Sequence, residues 1–352
     1  MVIHQNFIGG NISVKEIDGN TVILENELRD TTGDWFYWAF CVEGAENRTL
    51  TFRFQPSRLG YFGPAVSYDL ENWHWLHHVE GDSFTYTFRA EESKVYFAHS
   101  MLYHPSRFMN FADKHHLQVE ELCKGYKGSS IPCIKFGEGN TSIILTARHH
   151  ACESTGNYVL EGVLEELLAD PIPNATVFCV PFVDFEGVIR GDQGKNRAPH
   201  DQNRDYVTEK EAIYPECNAI KEYAEAHGCH YGFDFHAPWH IGGQNDTVFI
   251  VQNRIEQLDL LNKFGILFEK TISADSLKYE HKNDYPPETG WNIPNAQFAN
   301  YMAKRAENVV AFTLETTYFG TPDNEVSVDK LIELGRCFAK TFKKYNETER
   351  AL

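Results

Sequence analysis

Two side chains that follow a short apolar run have the types and spacing of a zinc site. Residues 148–153 read Arg-His-His-Ala-Cys-Glu, which places His150 three residues before Glu153. An imidazole and a carboxylate at this spacing can reach one cation, and catalytic zinc takes three such ligands and keeps one position for water. A surface pair, or a carboxylate that favours a helix start, is the alternative interpretation of this pattern taken alone.

A third ligand and a general base follow two further apolar runs. His236 ends the segment 234–236, where strand alternation sends Asp234 and His236 to the same side. Alone, His236 has the alternative interpretation of a core histidine; with His150 and Glu153 it completes an open zinc site. Glu315 closes the run 309–314, and a buried carboxylate there needs a partner, which metal-activated water would provide. A carboxylate that caps the following loop is the alternative for Glu315.

A long glycine-containing loop carries the cations that a carboxylate substrate would need. Residues 187–204 include Arg190, Lys195, Arg197 and Arg204 in an otherwise acidic chain. Arginine binds carboxylates bidentately, and a second cation can stabilise an oxyanion, although a solvated loop is the plainer interpretation. Asp201 is predicted to accept the other ring N–H of His150 and so to fix its tautomer.

Apolar strands that alternate with amphipathic helices position these residues. Strands are predicted at 142–147, 175–180, 231–235, 247–251 and 309–314, and helices at 155–168, 211–227, 255–270, 295–307 and 327–345. The pattern predicts an α/β domain over residues 111–352, with a sheet covered by helices on both faces. Ligands bind at the carboxyl ends of such strands, where His150, Glu153, Asp184, His236 and Glu315 fall.

The first hundred residues differ in character from the rest. They are rich in aromatic residues and read as short alternating strands, clearest at 50–54 and 83–88, without a convincing helix. We therefore expect an all-β antiparallel sandwich domain over residues 1–110.

Composition limits the partners and the compartment. The net charge of −18 disfavours nucleic acid and anionic membranes, and no apolar run is long enough to span a bilayer. The first twenty residues do not read as a signal peptide. The eight cysteines form no C-x-x-C pair and no dense framework, which fits reduced thiols and a cytoplasmic location.

The order and spacing of these motifs resemble the zinc carboxypeptidase family. The resemblance rests on residues 150–153, 184–187, 201–204, 234–236 and 313–315. It is closer to the cytosolic carboxypeptidase branch, in which an N-terminal β-sandwich precedes the catalytic domain, and segments 33–38 and 67–73 are similar to that sandwich.

The resemblance implies a role for each matching residue. It implies one zinc ion per chain on His150, Glu153 and His236, with Glu315 as general base. It implies that Asn203 and Arg204 recognise the substrate carboxylate and that Asp201 supports His150.

Three departures from the family pattern stand in this sequence. His-Ala-Cys-Glu replaces the branch's usual His-Pro-Gly-Glu, and Asp-Phe-Glu-Gly replaces Asn-Pro-Asp-Gly at 184–187. The arginine that stabilises the transition state aligns without a gap to Gly194, so Arg197 is the first choice for this role, Lys195 the second, and Arg190 remains open.

The predicted activity is hydrolysis of the amide bond beside a free C-terminal carboxylate of a peptide or protein, by metal-activated water. The alternatives are a zinc deacylase of N-acyl amino acids, which can use the same metal geometry, and a non-catalytic binding protein on the same fold.

Overall fold

The N-terminal region folds into two packed β-sheets, as predicted. The computed structural model describes residues 1–208, 210–293, 295–306 and 308–350. The strands of this region are β1 (Val2–His4), β2 (Ser13–Asp18), β3 (Thr21–Glu25), β4 (Ala39–Glu43), β5 (Thr49–Phe54), β6 (Ala65–Ser67), β7 (His74–Trp75), β8 (Ser83–Thr87) and β9 (Lys94–Ala98). One sheet has the order β1-β4-β9-β6-β7 and the other β2-β3-β5-β8. The pairs are antiparallel except β3–β5, which is parallel.

Strand β4 shows how this sandwich joins the rest of the chain. Its side chains alternate between two cores, because successive residues of a strand point to opposite faces. Phe40 and Val42 pack in the core between the two sheets. Ala39 and Cys41 face the other way and belong to the large core shared with the C-terminal region. The five-stranded sheet is therefore buried on both faces, and the two regions share an extensive apolar interface.

The C-terminal region is an α/β fold built on one mixed sheet. Its sheet strands are β10 (Val119–Lys124), β11 (Ser130–Phe136), β12 (Thr141–Ala147), β13 (Ala175–Val180), β14 (Tyr231–His236), β15 (Phe249–Val251) and β16 (Val310–Glu315). Its helices are α1 (Pro105–Lys114), α2 (Ser154–Ala169), α3 (Phe185–Arg190), α4 (Pro215–His227), α5 (Leu258–Thr271), α6 (Phe298–Ala303) and α7 (Val328–Arg350). The strand order is β10-β11-β13-β12-β14-β16-β15.

Helices cover both faces of this sheet, which confirms the predicted fold class. Ile143 and Leu145 of β12 pack in the core that includes residues of α2, α5 and α7. Ile144, between them, packs with residues of α4 and α6 on the opposite face. A strand buried on both sides reads as a continuous apolar run, which is why 142–147 shows no alternation. No described helix is long and apolar enough to cross a bilayer.

Some predicted elements differ in extent from the structure, and one hairpin was not predicted. Helix α4 begins at Pro215 rather than near 211, because proline favours the first helical turn, and Ala212 instead exchanges two hydrogen bonds with the Asn218 side chain. Helix α6 is shorter than the predicted 295–307, whose last residue lies outside the described residues. The hairpin β10–β11 was not predicted, because β10 is mostly exposed and β11, although it buries Ile131, Cys133 and Ile134, lacks a long apolar run.

Parallel pairing brings the predicted site residues to one edge of the sheet. Strands β12, β14 and β16 run parallel in adjacent positions, so their carboxyl ends meet. His236 and Glu315 are the last residues of β14 and β16, and the turn with His150 follows β12.

Candidate metal centre and substrate cleft

A buried arginine shapes the turn that carries two of the predicted metal ligands. Arg148 is 1% exposed and has a left-handed backbone with φ of 59°. Its Nε donates to the carbonyl of Ala151 at 2.8 Å, and its guanidinium also donates to Ser154 Oγ at 3.0 Å. Because Ser154 is the first residue of α2, Arg148 ties the turn to the helix start. The turn therefore has a fixed shape, with His150 and Glu153 on one side.

The three predicted metal ligands converge. Ligand atoms of His150, Glu153 and His236 all lie within 4.8 Å of one another, and the three residues are buried. His150 Nδ1 is 2.9 Å from Glu153 Oε1, and His236 Nδ1 is 2.6 Å from Glu153 Oε2. Both imidazoles thus present the same ring nitrogen to one carboxylate.

The surrounding groups fit a divalent metal ion at this point. The outer nitrogen of each ring faces a second carboxylate, with His150 Nε2 3.4 Å from Asp201 and His236 Nε2 2.5 Å from Asp234. Carboxylates behind metal-binding histidines fix the tautomer and raise ligand basicity. Glu153 Oε2 is buried and has no hydrogen-bond partner of good geometry in the described part of the chain, despite its short contact with His236. Two imidazoles and a carboxylate with an unsatisfied buried oxygen are a donor set that zinc uses.

His149, the neighbouring histidine, is held by other partners. Its Nδ1 lies 2.8 Å from Asp234 Oδ1 and its Nε2 lies 2.7 Å from the hydroxyl of Tyr206. Ligand-type atoms of His149, Asp234 and His236 also lie within 4.8 Å of one another. Because both nitrogens of His149 are already used, we assign it a supporting position and His150 the ligand position.

Glu315 lies beside the metal centre in a buried position. It is paired in sheet register with His236 on the adjacent strand. Its Oε2 is buried without a hydrogen-bond partner among the described residues. Burial raises the pKa of the Glu315 carboxyl to about 7, against the opposing effect of His236, while the Glu153 carboxylate adds to the rise. A carboxylate with these properties suits the transfer of a proton at neutral pH.

A cavity of about 470 Å³ lies beside His150, His236 and Glu315. Asn203 and Arg204, the residues predicted to bind a substrate carboxylate, also border it. Asn203 is anchored by the backbone N–H of Phe298, which donates to its Oδ1 at 3.0 Å, and its Nδ2 lies 3.2 Å from His236 Nε2. Arg204 donates to the carbonyl of Asn203 at 2.9 Å. Within the described residues Arg204 forms no ion pair with a carboxylate, so its guanidinium is free to bind one from a ligand.

Lys195 and Arg197, the two cations that the sequence ranked for stabilising an oxyanion, both border the cavity but have different partners. The Arg197 guanidinium contacts carboxylate oxygens of Asp184 at 2.8 Å, Asp30 at 3.0 Å and Asp192 at 3.3 Å. These three ion pairs anchor the Arg197 guanidinium at the border of the cavity, and its role in stabilising an oxyanion stays a prediction. Lys195 instead forms a close ion pair with Glu153 at the metal centre.

The third cation considered, Arg190, is placed elsewhere. It is the last residue of α3, and its Nε lies 3.4 Å from Asp192 Oδ2. Its side chain is 46% exposed, and it does not border the cavity. Of these three loop cations, only Lys195 forms an ion pair with a proposed metal ligand in the described part of the chain.

Part of this site could not be recognised from the sequence. Asp234 lies two residues before His236 on β14, but its contact with His149 joins segments that are 85 residues apart along the chain. Trp35, from the N-terminal region, forms a wall of the cavity beside Lys195 and Trp239. Only its place in an aromatic-rich segment marked it, and nothing local indicated contact with the C-terminal region.

Comparisons with known proteins agree with this architecture. Residues 3–99 match the model of the cytosolic carboxypeptidase N-terminal domain. An uncharacterized protein of Zymomonas mobilis is 28% identical over 342 residues, which cover 90% of this chain and 87% of that protein. Cytosolic carboxypeptidase 2 of Xenopus tropicalis is 26% identical over 157 residues, or 38% of this chain and 16% of that longer protein.

Solved structures share the fold over nearly the whole chain. The metallo-carboxypeptidase of Burkholderia cenocepacia superimposes with a TM-score of 0.81 at 19% identity, covering 99% of each chain. The metallo-carboxypeptidase of Pseudomonas aeruginosa, solved in complex with (2-guanidinoethylmercapto)succinic acid, gives a TM-score of 0.80 at 22% identity, also over 99% of each chain. The chain thus carries a segment that matches the N-terminal domain of cytosolic carboxypeptidases, and it has the fold of the metallo-carboxypeptidases over nearly its whole length.

Proposed function

We propose that this chain is a zinc metallocarboxypeptidase that removes the terminal residue of a peptide or protein with a free C-terminal carboxylate. The observation that carries the proposal is that one cavity is bordered by the proposed metal ligands His150 and His236, by Glu315 and by Arg204. An amide bond one residue from a bound carboxylate can thus lie beside both the metal centre and a general base.

The chain's own residues divide the work in this proposal. Arg204 and Asn203 hold the terminal carboxylate of the substrate, which fixes the position of the scissile amide. Zinc, when held by His150, Glu153 and His236, would polarise the scissile carbonyl and lower the pKa of water. Glu315 takes a proton from the attacking water and passes it to the leaving amine. Lys195 supplies positive charge where the carbonyl oxygen becomes negative.

The partner and compartment follow from composition and from the relatives. A peptide or protein tail is the proposed substrate, because the relatives are named carboxypeptidases. A net charge of −18 argues against nucleic acid as a partner. All eight cysteines are free thiols in the structure, and we propose a reducing, cytoplasmic location on that ground.

The experiment is a digestion of a peptide library by the zinc-loaded chain, followed by mass spectrometry of the products. We expect single residues to be released from the C-terminus, and no release from peptides whose C-terminus is amidated. Glu315→Gln serves as the matched control, because it keeps the side-chain shape and removes the base. We expect this variant to retain zinc and to lose activity by about 10³-fold.

Two further arms separate the alternatives. Turnover of N-acyl amino acids in preference to peptides would favour the deacylase over the carboxypeptidase. A chain that binds no zinc by metal analysis, or a Glu315→Gln variant that releases the same products as the wild type, would contradict the assignment. Binding of (2-guanidinoethylmercapto)succinic acid, a ligand of the P. aeruginosa protein, measures carboxylate recognition without turnover.

A further inference from the structure

We propose that the N-terminal sandwich domain is a working part of the active site, because its residues Asp30 and Trp35 position Lys195. This inference rests on the proposed function, in which Lys195 stabilises the oxyanion. Both residues lie in the segment 26–38, which connects β3 to β4 and faces the loop that carries Lys195. Neither is a catalytic residue in this proposal, since each acts through the loop.

Asp30 holds the backbone of that loop directly. Its Oδ1 accepts the backbone N–H of Gln193 at 2.8 Å, and its Oδ2 accepts the backbone N–H of Gly194 at 2.8 Å. Oδ2 also accepts from Arg197 Nε at 3.0 Å. The carboxylate is only 9% exposed, so these charge-assisted bonds are weakly screened. Asp30 therefore fixes Gln193 and Gly194, the two residues before Lys195, and also Arg197, two residues after it.

On its other side the same loop rests on the metal-binding turn. The carbonyl of Gln193 accepts the backbone N–H of Cys152 at 3.3 Å. Gly194 approaches so closely that a Cβ on it would lie 2.1 Å from the nitrogen of Ala151. The backbone of residues 193–194 thus lies directly between Asp30 and the turn that carries His150. No side chain fits at position 194, so the nearest place for a cation is the next residue, Lys195.

Trp35 holds the side chain of Lys195. The Nζ atom lies 4.6 Å from the centre of the indole ring, a cation–π distance, and the indole N–H donates to Asn196 Oδ1 at 2.9 Å. Lys195 is thereby placed between the face of Trp35 and the Glu153 carboxylate. A metal ion on Glu153 would share that carboxylate, so the ring of Trp35 and the carbonyl of Ala237, which accepts from Nζ at 3.4 Å, become the contacts that keep the ammonium in place.

The arrangement has a catalytic consequence because an oxyanion-stabilising charge works only when it is preorganised. A flexible lysine that moves by about 1 Å loses much of its effect on the transition state. The same movement of the lysine has little effect on ground-state binding of the substrate, which Arg204 and Asn203 provide. Loss of Trp35 or Asp30 should consequently lower kcat and leave KM nearly unchanged.

The test compares Trp35→Leu, Trp35→Phe and Asp30→Asn with the wild type. Asp82→Asn is the control, since it breaks an exposed pair with Arg53 on the far sheet of the same domain. We expect kcat to fall at least about tenfold for Trp35→Leu and Asp30→Asn, with KM within about twofold. Trp35→Phe should retain most of the rate, because it keeps an aromatic face, and Asp82→Asn should match the wild type.

A second readout does not depend on activity. Hydrogen exchange measured by mass spectrometry on metal-free protein should be faster over residues 190–197 in Asp30→Asn and Trp35→Leu, and unchanged in Asp82→Asn. If the wild type releases no C-terminal residue, the proposed function fails, and the exchange data still decide whether the sandwich domain holds the loop. Unchanged exchange and unchanged kcat in both variants would overturn the inference. A fall in kcat accompanied by a rise in KM of the same factor would also overturn it, since that result indicates a general structural defect.

Discussion

His236 and Glu315 occupy directly paired positions on the neighbouring parallel strands β14 and β16. Adjacent strands lie about 4.8 Å apart, so the backbone hydrogen bonds of the sheet set the separation between a proposed metal ligand and the proposed base. No loop has to close to bring them together. The carboxylate and imidazole are thus held by two hydrogen-bonded interior strands of the sheet, which suits a site that must keep its geometry through many turnovers.

Removal of one metal ligand should abolish tight zinc binding. We expect His236→Ala and Glu153→Gln to lower zinc affinity by at least about 100-fold, because each removes one of three protein donors. The measurement is competition with a chromophoric chelator, supported by metal analysis of the dialysed protein. His227→Ala, at the exposed end of α4, is the control and should bind zinc like the wild type. Unchanged affinity in both ligand variants would place the metal elsewhere.

Substitution of the two loop cations should give different defects. Lys195→Ala should lower kcat by about 10²-fold with little change in stability, since the lysine lies at the cavity and not in the core. Its zinc affinity should hold or rise, because a cation that competes for Glu153 is gone. Arg197→Ala should instead cost about 3–5 kcal/mol of folding free energy, because it removes the guanidinium that pairs with three largely buried carboxylates, those of Asp30, Asp184 and Asp192.

Urea unfolding and steady-state kinetics on the same preparations separate these two outcomes. The assignment of Lys195 fails if Arg197→Ala loses kcat at unchanged stability while Lys195→Ala remains fully active.

A methyl group at Gly194 should disturb the metal centre by displacing the turn that carries His150 and Glu153. Its φ is 79°, and a Cβ would lie 2.1 Å from Ala151 N and 2.9 Å from the carbonyl carbon of His150. We expect Gly194→Ala to displace the turn and to weaken zinc binding at least about tenfold, together with a loss of stability. Gly81→Ala is a matched control, since its φ is 64° and nothing lies within 4 Å of its Cβ position. It should cost only the strain of the left-handed backbone, and an equal loss of zinc affinity in both variants would contradict this explanation.

Much of the fold could be predicted because its signals are local. Strand β13 matches its predicted range, and α2 extends the predicted helix by one residue at each end. The position of the proposed ligands at one sheet edge also followed, because it needs only the rule that ligands bind at the carboxyl ends of parallel strands.

What could not be predicted depends on contacts between distant segments. Arg197 and Lys195 are two residues apart in one loop and both border the cavity, so nothing local distinguishes a guanidinium held by three carboxylates from an ammonium beside Glu153. The difference arises from Asp30 and Trp35, more than 150 residues earlier in the chain, which contact one cation each. A single sequence carries no record of such pairing, so the ranking of the two cations required the structure.

Glu216 should make the chain less stable as pH rises, independently of the metal centre. It is the second residue of α4 and is 3% exposed, with Oε1 accepting from Gln202 Nε2 at 3.3 Å and Oε2 lacking a partner among the described residues. Burial raises the pKa of Glu216 from 4.5 to about 7, and the nearby carboxylates of Asp184 and Glu186 add to the rise. Between these values the folded chain binds more protons than the unfolded chain, so the free energy of unfolding falls as pH increases.

Substitution of Glu216 by glutamine should remove this dependence, because the neutral amide keeps the shape of the protonated acid. Relative to wild type, Glu216→Gln should be more stable at pH 8 than at pH 5 by up to about 3 kcal/mol. Urea unfolding of the metal-free protein at both pH values provides the measurement, and Glu222→Gln, exposed on the same helix, is the control. If Glu216→Gln differs from the wild type by the same amount at both pH values, the buried carboxyl does not titrate in this range.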